Sequence, residues 1–449
     1  MANPLVANAD VVLHLADFVE DQQYLFFAPV STTWKNAWGR RPNVTRAIMA
    51  HTTVHQLIYC FRSRLKCEKV CEAAASLGRL DLLQCARGWG CPWPDILYSK
   101  AAEGGHIDVM VWAQANGCPL ERGAGNAAAR AGRLGALQWV HANGCPLDEV
   151  TCGNAALGGD LVILQWLRSI DCAWNYMTCN GFASGGNLTA LQWARANGCP
   201  WEKSTCAAAA AGGHLHVLRW ARANGCQWNV STCSAAARGG HLGVLQWARA
   251  HECPWDTETC NRAAGGGHQG VLQWARENGC PWEERTCQMA AARGYLDVLQ
   301  WARLNGCPWD EKTCSAAATG GHLNVLRWAR LNGCPWDVET CRRAADGGHL
   351  DVLKWARSNG CPWDEMTCSW AASRGHLDVV QWAHSNGCPW DERTCSGAAS
   401  GGHLEMLKFV RENGCPWDRN TIVMAAQVGS MDVLEWARAA GCPEDLSFW

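Results

Sequence analysis

The chain has 449 residues, 41 acidic against 39 basic side chains and a formal net charge of −2, a balance with no long-range pull toward nucleic acid or an anionic membrane. Nothing near the roughly 18 consecutive apolar residues of a membrane span occurs, and the start, MANPLVANADVVLHLADFVED, lacks the basic and apolar regions of a leader. The 28 cysteines are therefore expected as thiols in a reducing compartment, the cytoplasm or nucleus.

Residues 11–42 differ from everything after them. Val12, Leu15 and Val19 fall at helical spacing, Pro29 breaks a second apolar segment, and Ser31 is placed to cap a helix carrying Trp34 and Trp38 on one face. The run Phe18, Val19, Asp21, Leu25, Ala28, Val30, Ser31, Trp34 resembles the F-box, although the Leu-Pro opening of that family is not in its usual place. The resemblance implies that Phe18, Leu25, Val30 and Trp34 bury against a Skp-type adaptor of a cullin–RING ubiquitin ligase. The same residues suit a helical cap on the first repeat, and the sequence leaves both readings open. Residues 43–65, with Val54, Leu57, Ile58 and Phe61, read as a helical connector.

From residue 66 to the C-terminus one pattern repeats. A corner cysteine recurs at 91, 118, 145 and onward to 442, fourteen times, always 27 residues apart. A fixed period of this size marks a solenoid, in which each repeat buries its apolar face against its neighbours. In the copy TCSAAATGGHLNVLRWARLNGCPWDVE, Asp310 is placed to cap a first helix through Thr313, Cys314, Ala317 and Ala318. Gly320-Gly321 ends it, and Gly321 is free to adopt the left-handed conformation. The second helix, Leu323 to Asn332, is expected to bury Leu323, Val325, Leu326, Trp328 and Ala329. Asn332-Gly333 and Pro335 stop it. Helices this short are marginal alone, so stacking must stabilise them.

These landmarks, AAxxGHLxVLxW followed by GCPWD, resemble the ankyrin repeat. The ordinary ankyrin unit has about 33 residues, and the missing length falls where its β-hairpin finger would be. The resemblance implies an all-α, ankyrin-like solenoid of stacked helical hairpins without β-hairpin fingers, preceded by a small helical N-terminal module. Short units of this Cys-Pro-Trp kind behind F-box-like segments are similar to expanded sets in large DNA viruses and unicellular algae; a viral source would place the protein inside the host cell.

The ladders carry the candidate chemistry. Within a repeat the cysteines stand as C-x6-C, not the C-x2-4-C of a zinc chelate. They are read as small buried packing residues, with neither metal nor cofactor expected. The two Trp ladders recur with the structural period and are read as core. The His that follows Gly (106, 214, 241, 268, 322, 349, 376 and 403) gives way to Arg, Asp, Asn, Tyr or Ser in other copies, so it reads as a turn residue capping the second helix. The Arg closing the second helix is read as complementing that helix terminus and the acid opening the next helix, such as Arg330 with Asp337. No phosphate loop, Ser-His-Asp arrangement or isolated carboxylate pair stands outside the ladders, which argues against an enzyme.

Recognition is expected where the copies differ. Counted from the Thr before the helix cysteine, the variable offsets are −1, +2, +3 and +6, and −1, +3 and +6 share one helical face. That strip carries Arg238, Arg262, Met289, Arg342, Arg343, Met366 and Trp370, types favoured at protein interfaces. The expected function is protein binding. In one version an F-box-type receptor brings the array's target to a ligase, and in the other a plain scaffold carries an N-terminal cap. Nucleic acid and membrane are not expected partners.

Overall fold

The computed structural model describes residues 67–443. Phe18, Leu25, Val30 and Trp34, and the connector at 43–65, lie outside the described residues. Among those described, 28 helices follow one another without a strand, two per 27-residue repeat. None is long and apolar enough to cross a membrane.

The helix punctuation follows from a few backbone groups. The helix Glu311–Thr319 ends in a Schellman turn, in which His322 N–H donates to Ala317 O (2.9 Å) and Gly321 N–H to Ala318 O (3.2 Å). That turn needs a left-handed residue, and Gly321 supplies it at φ +72°. The helix Leu323–Leu331 closes the same way, with Cys334 N–H on Ala329 O, Gly333 N–H on Arg330 O and Gly333 at φ +83°. Asn332 adds a side-chain donor to Trp328 O at 2.8 Å. Two corners break the glycine rule. Asp171 (φ +55°) and Glu252 (φ +65°) occupy the left-handed position where the others carry Gly.

At the helix starts, Asp337, Asp391 and Asp418 cap with their carboxylates as expected. Asp310 takes the extended N-cap backbone, but its carboxylate accepts from Gln288 Nε2 of the preceding repeat (2.9 and 3.1 Å) instead. The tie between neighbours displaces the cap.

The described residues fall into two compact units that divide at Thr205/Cys206. Within each, successive first helices pack directly on one another, whereas second helices approach their successors far less closely. Residue size explains the difference. Cys314, Ala317 and Ala318 of the first helix are wholly buried. A Cβ added at Gly181 would lie 2.8 Å from both Ala156 Cβ and Leu157 N, so neighbouring backbones nearly touch there. The wider gap between second helices is filled by indoles in edge-to-face pairs, as with Trp336 and Trp355 at 5.9 Å and 66°.

Val325, Leu326 and Ala329 are buried as the pattern predicts, but Leu323 and Trp328 are only half-buried. The same correction holds for both Trp ladders: among the described residues no Trp is fully buried. The deep core is built from Ala, Cys, Leu and Val. Tyr98 and Phe182 are the largest side chains fully buried on first helices, and the indoles line the seam between second helices.

Candidate interaction face on the first helices

The first helix of each repeat offers its neighbour the offsets +2 and +3, and these do different work. Offset +2 reaches forward to the next repeat. Asn180 Oδ1 accepts from Thr205 Oγ1 (2.7 Å), and Asn261 Oδ1 accepts from Thr286 Oγ1 (2.8 Å). Arg342 at this offset binds Asp364 with both ends of its fork, Nε to Oδ1 at 3.0 Å, and also meets Glu339 at 3.4 Å. The guanidinium holds the Asp364 carboxyl below the usual carboxylate range. At Asn126, Asn180, Asn261, Gln288, Arg342 and Ser369 offset +2 therefore ties repeat to repeat, whereas Ser234, Ser315 and Ser396 bond within their own helices and Gly153, Ala207 and Val423 have no polar side chain to offer. Sequence variation alone made it look unconstrained.

Offset +3 leans across the face onto the preceding repeat. Met289 lies over Gly265, where an added Cβ would come within 2.8 Å of the Met289 Cε. The Arg343 guanidinium stands 4.9 Å from the Trp370 ring centre and Arg342 stands 5.9 Å from it, so one indole receives two cations from the repeat before. Met366, four residues before Trp370 on the same helix, meets the following repeat, its sulfur accepting from Arg393 at 3.4 Å. Around them run ion pairs of Arg343 with Glu339, Arg374 with Asp346, and Arg393 with Glu365 and Asp391.

The structure thus brings Arg342, Arg343 and Trp370 together as half-buried side chains, with half-buried Met366 one turn earlier on the Trp370 helix. Arg238 stands exposed and Arg262 pairs with Glu258 on its own helix at 2.6 Å. Neither joins that cluster. In the N-terminal compact unit the same face holds a hollow of about 440 Å³, floored by Ala127 and Ala131 and walled by Glu103, Asn126, Arg130 and Asn154. All six sit at first-helix offsets +2, +3, +6 or +7. Their offsets were readable in the sequence, but small residues at +3 and +7 do not announce a depression.

The second helices and corners form a different surface. The Arg330 NH1 group donates to Cys334 O, and the guanidinium lies 4.1 Å from the Trp336 ring centre. The pattern repeats, with Arg357 bound to Cys361 O at 2.6 Å and stacked on Trp363 at 4.0 Å. The expected pairing of Arg330 with Asp337 is replaced by this lock on the corner, because Asp337 spends its carboxylate on Glu339 N–H. His is likewise re-read. It stands at the N-cap of the second helix without a side-chain cap, and its ring reaches back a full repeat. His349 Nε2 meets Thr319 O at 3.1 Å, and His376 Nε2 meets Asp346 O at 3.1 Å.

Among the residues whose burial is described every cysteine but the half-buried Cys85 is buried, and the thiols that meet are not the C-x6-C pair. Cys152 Sγ donates to Cys172 Sγ across 3.7 Å, twenty residues on. Corner thiols also donate to the backbone, as Cys334 Sγ does to Asp310 O at 3.4 Å. Each such bond ties a corner to the start of its own hairpin, which Ala could not do. Among the described residues no three metal-capable side chains converge.

A family model described as "Ankyrin repeats (many copies)" matches residues 368–411, which span two consecutive hairpins. No match to a curated protein was found. Among solved structures, the human ASB11 ankyrin repeat domain is 16% identical over 35% of this chain and 84% of its own, with a TM-score of 0.30. The maize pentatricopeptide repeat protein PPR10 is 15% identical over 98% of this chain and 80% of its own, with a TM-score of 0.31. In complex with an 18-nt psaJ RNA element PPR10 is 14% identical over 88% and 73%, with a TM-score of 0.33. At such scores these likenesses carry neither fold nor function over to this chain.

Proposed function

We propose that this chain is a non-catalytic protein-binding scaffold whose target lies along the first-helix face. The observation that carries the reading is Trp370. Its offset holds Ala or Gly in several sister repeats, so stacking does not require an indole there. The side chain sits half-exposed beside the Arg342 and Arg343 guanidinium groups instead. A large apolar anchor ringed by prepaid hydrogen-bond donors has the anatomy of a binding hot spot, each such anchor contributing about 2 kcal/mol or more. The ankyrin match at 368–411 includes this helix in part and agrees with a binding role.

The N-terminal segment carries the second half of the proposal. With its F-box-like residues Phe18, Leu25, Val30 and Trp34, it recruits a Skp-type adaptor, and the array presents the target to a cullin–RING ligase in the cytoplasm or nucleus. Both halves are tested with the full chain. Trp370→Ala is expected to lose proteins that the wild type retains, while Leu25→Asp with Val30→Asp loses the adaptor alone. Retention of the same proteins by Trp370→Ala would remove the target site. Failure of the wild type to bind any Skp-type adaptor would leave a capped scaffold.

A further inference from the structure

We propose that Cys152 and Cys172 form the oxidisable dithiol that hydroperoxides convert first to a disulfide. The pair is one of a series of such thiol pairs along the repeats. The two sulfurs are 3.7 Å apart, with the Cys152 thiol donating to Cys172. A disulfide needs about 2.05 Å between them, so one side-chain rotation with a small shift of the corner closes the gap.

This corner departs from its sisters in three ways that favour such a shift. Asp171 holds the left-handed position at φ +55° where most corners have Gly, which stores local strain. Ala173 stands where most corners have Pro, so no ring fixes the backbone after the thiol. Cys172 is also the most open corner thiol that has a thiol partner, 6% exposed against 3% or less at the others. Its partner, Cys152, is fully buried.

The chemistry suits a nucleophile and a resolving thiol. Accepting the Cys152 S–H lowers the pKa of Cys172 against the effect of burial, and Arg168, bound to Cys172 O at 2.5 Å, acts in the same sense. The Cys172 thiolate attacks one oxygen of the hydroperoxide. An S–O bond forms, the O–O bond breaks, and the departing alkoxide takes up a proton, giving a sulfenic acid and an alcohol. Cys152 sulfur then attacks Cys172 sulfur, and hydroxide leaves with the Cys152 proton as water. Two thiols are oxidised and one hydroperoxide is reduced. The new bond closes a loop that joins the first helix of this hairpin, Glu149–Leu157, to the corner after the second, Leu161–Ser169.

Hydrogen peroxide is the probe. The full-length wild type, titrated at neutral pH and digested under thiol-blocking conditions, is expected to yield its first disulfide between the peptides containing Cys152 and Cys172, reversible by dithiothreitol. Cys152→Ser should leave Cys172 as a sulfenic acid that a dimedone probe labels, and Cys172→Ser should abolish both products. A first disulfide at any other pair, direct passage of wild-type Cys172 to sulfinic acid, or oxidation that spares both residues would overturn the assignment. Because the peptide map is read on the wild type, it holds even where a serine variant fails to fold.

Discussion

The first-helix layer and the second-helix layer of each hairpin solve the same problem, contact with the next repeat, by opposite means. Between first helices the contact is close, built from Ala, Cys and Gly, with polar ties at offset +2 whose partners change from repeat to repeat: Asn261 with Thr286, Gln288 with Asp310, Arg342 with Asp364. Between second helices the contact is wide, and one arrangement of Arg, Trp and Trp recurs almost unaltered. A wide seam is filled by a large rigid side chain, and few residues other than Trp have its area. A tight seam can be tied by polar pairs of different lengths. The second layer is therefore uniform in sequence, while the first layer is free to vary, as the proposed target site requires.

Breaking the wide seam should cost most. Trp355→Ala removes an indole packed on Trp336 and lying under Arg327. It is half-buried, so the loss should be about 2–3 kcal/mol, below the roughly 3–5 kcal/mol of a fully buried aromatic. Equilibrium urea unfolding reads it. Adding bulk to the tight seam comes next. Gly181→Ala places a methyl 2.8 Å from Leu157 N, and helices that must part to admit it should lose about 1–2 kcal/mol. The corner lock is smaller. Arg330→Ala gives up one carbonyl bond and one cation–π contact, about 1 kcal/mol in partly exposed surroundings.

The smallest effect belongs to a first-layer tie and depends on pH. The Asp364 carboxyl is depressed in the folded chain by Arg342, so its contribution is present above the unfolded carboxylate value near pH 4 and is lost as pH falls through the lower folded value. With both partners about one quarter exposed, screening keeps this below about 1 kcal/mol. Unfolding curves of wild type and Arg342→Ala should converge on acidification below about pH 4. Curves that stay parallel would show that the pair does not stabilise the fold.

Much of this architecture was legible in the sequence, because the local signals agree with the packing. Gly321, Gly333 and Asn332 fix both helix ends through backbone geometry that belongs to those residue types. What stayed hidden is relational. Nothing in a ladder of Arg says that its partner is a Trp six residues on and not the acid seven residues on, since both lie within reach of a long side chain. His349 reaches a carbonyl thirty residues back, and Cys152 meets a thiol twenty residues forward. Such distances exist only once hairpins have stacked. The variable face was only partly legible. Variation flagged offsets −1, +3 and +6, but it also flagged offset +2, where in several repeats the changing residue ties one repeat to the next.

The separation of stacking from recognition is tested most directly by equilibrium unfolding of Trp370→Ala. Trp370 touches the Arg342 and Arg343 guanidinium groups on the variable face, outside the Trp seam that joins second helices. Its removal is expected to change stability by less than about 1 kcal/mol, the scale of a partly exposed cation–π contact, under conditions where Trp355→Ala loses two to three times as much. A loss at Trp370 equal to that at Trp355 would make it a packing residue and contradict the assignment of this face to a target.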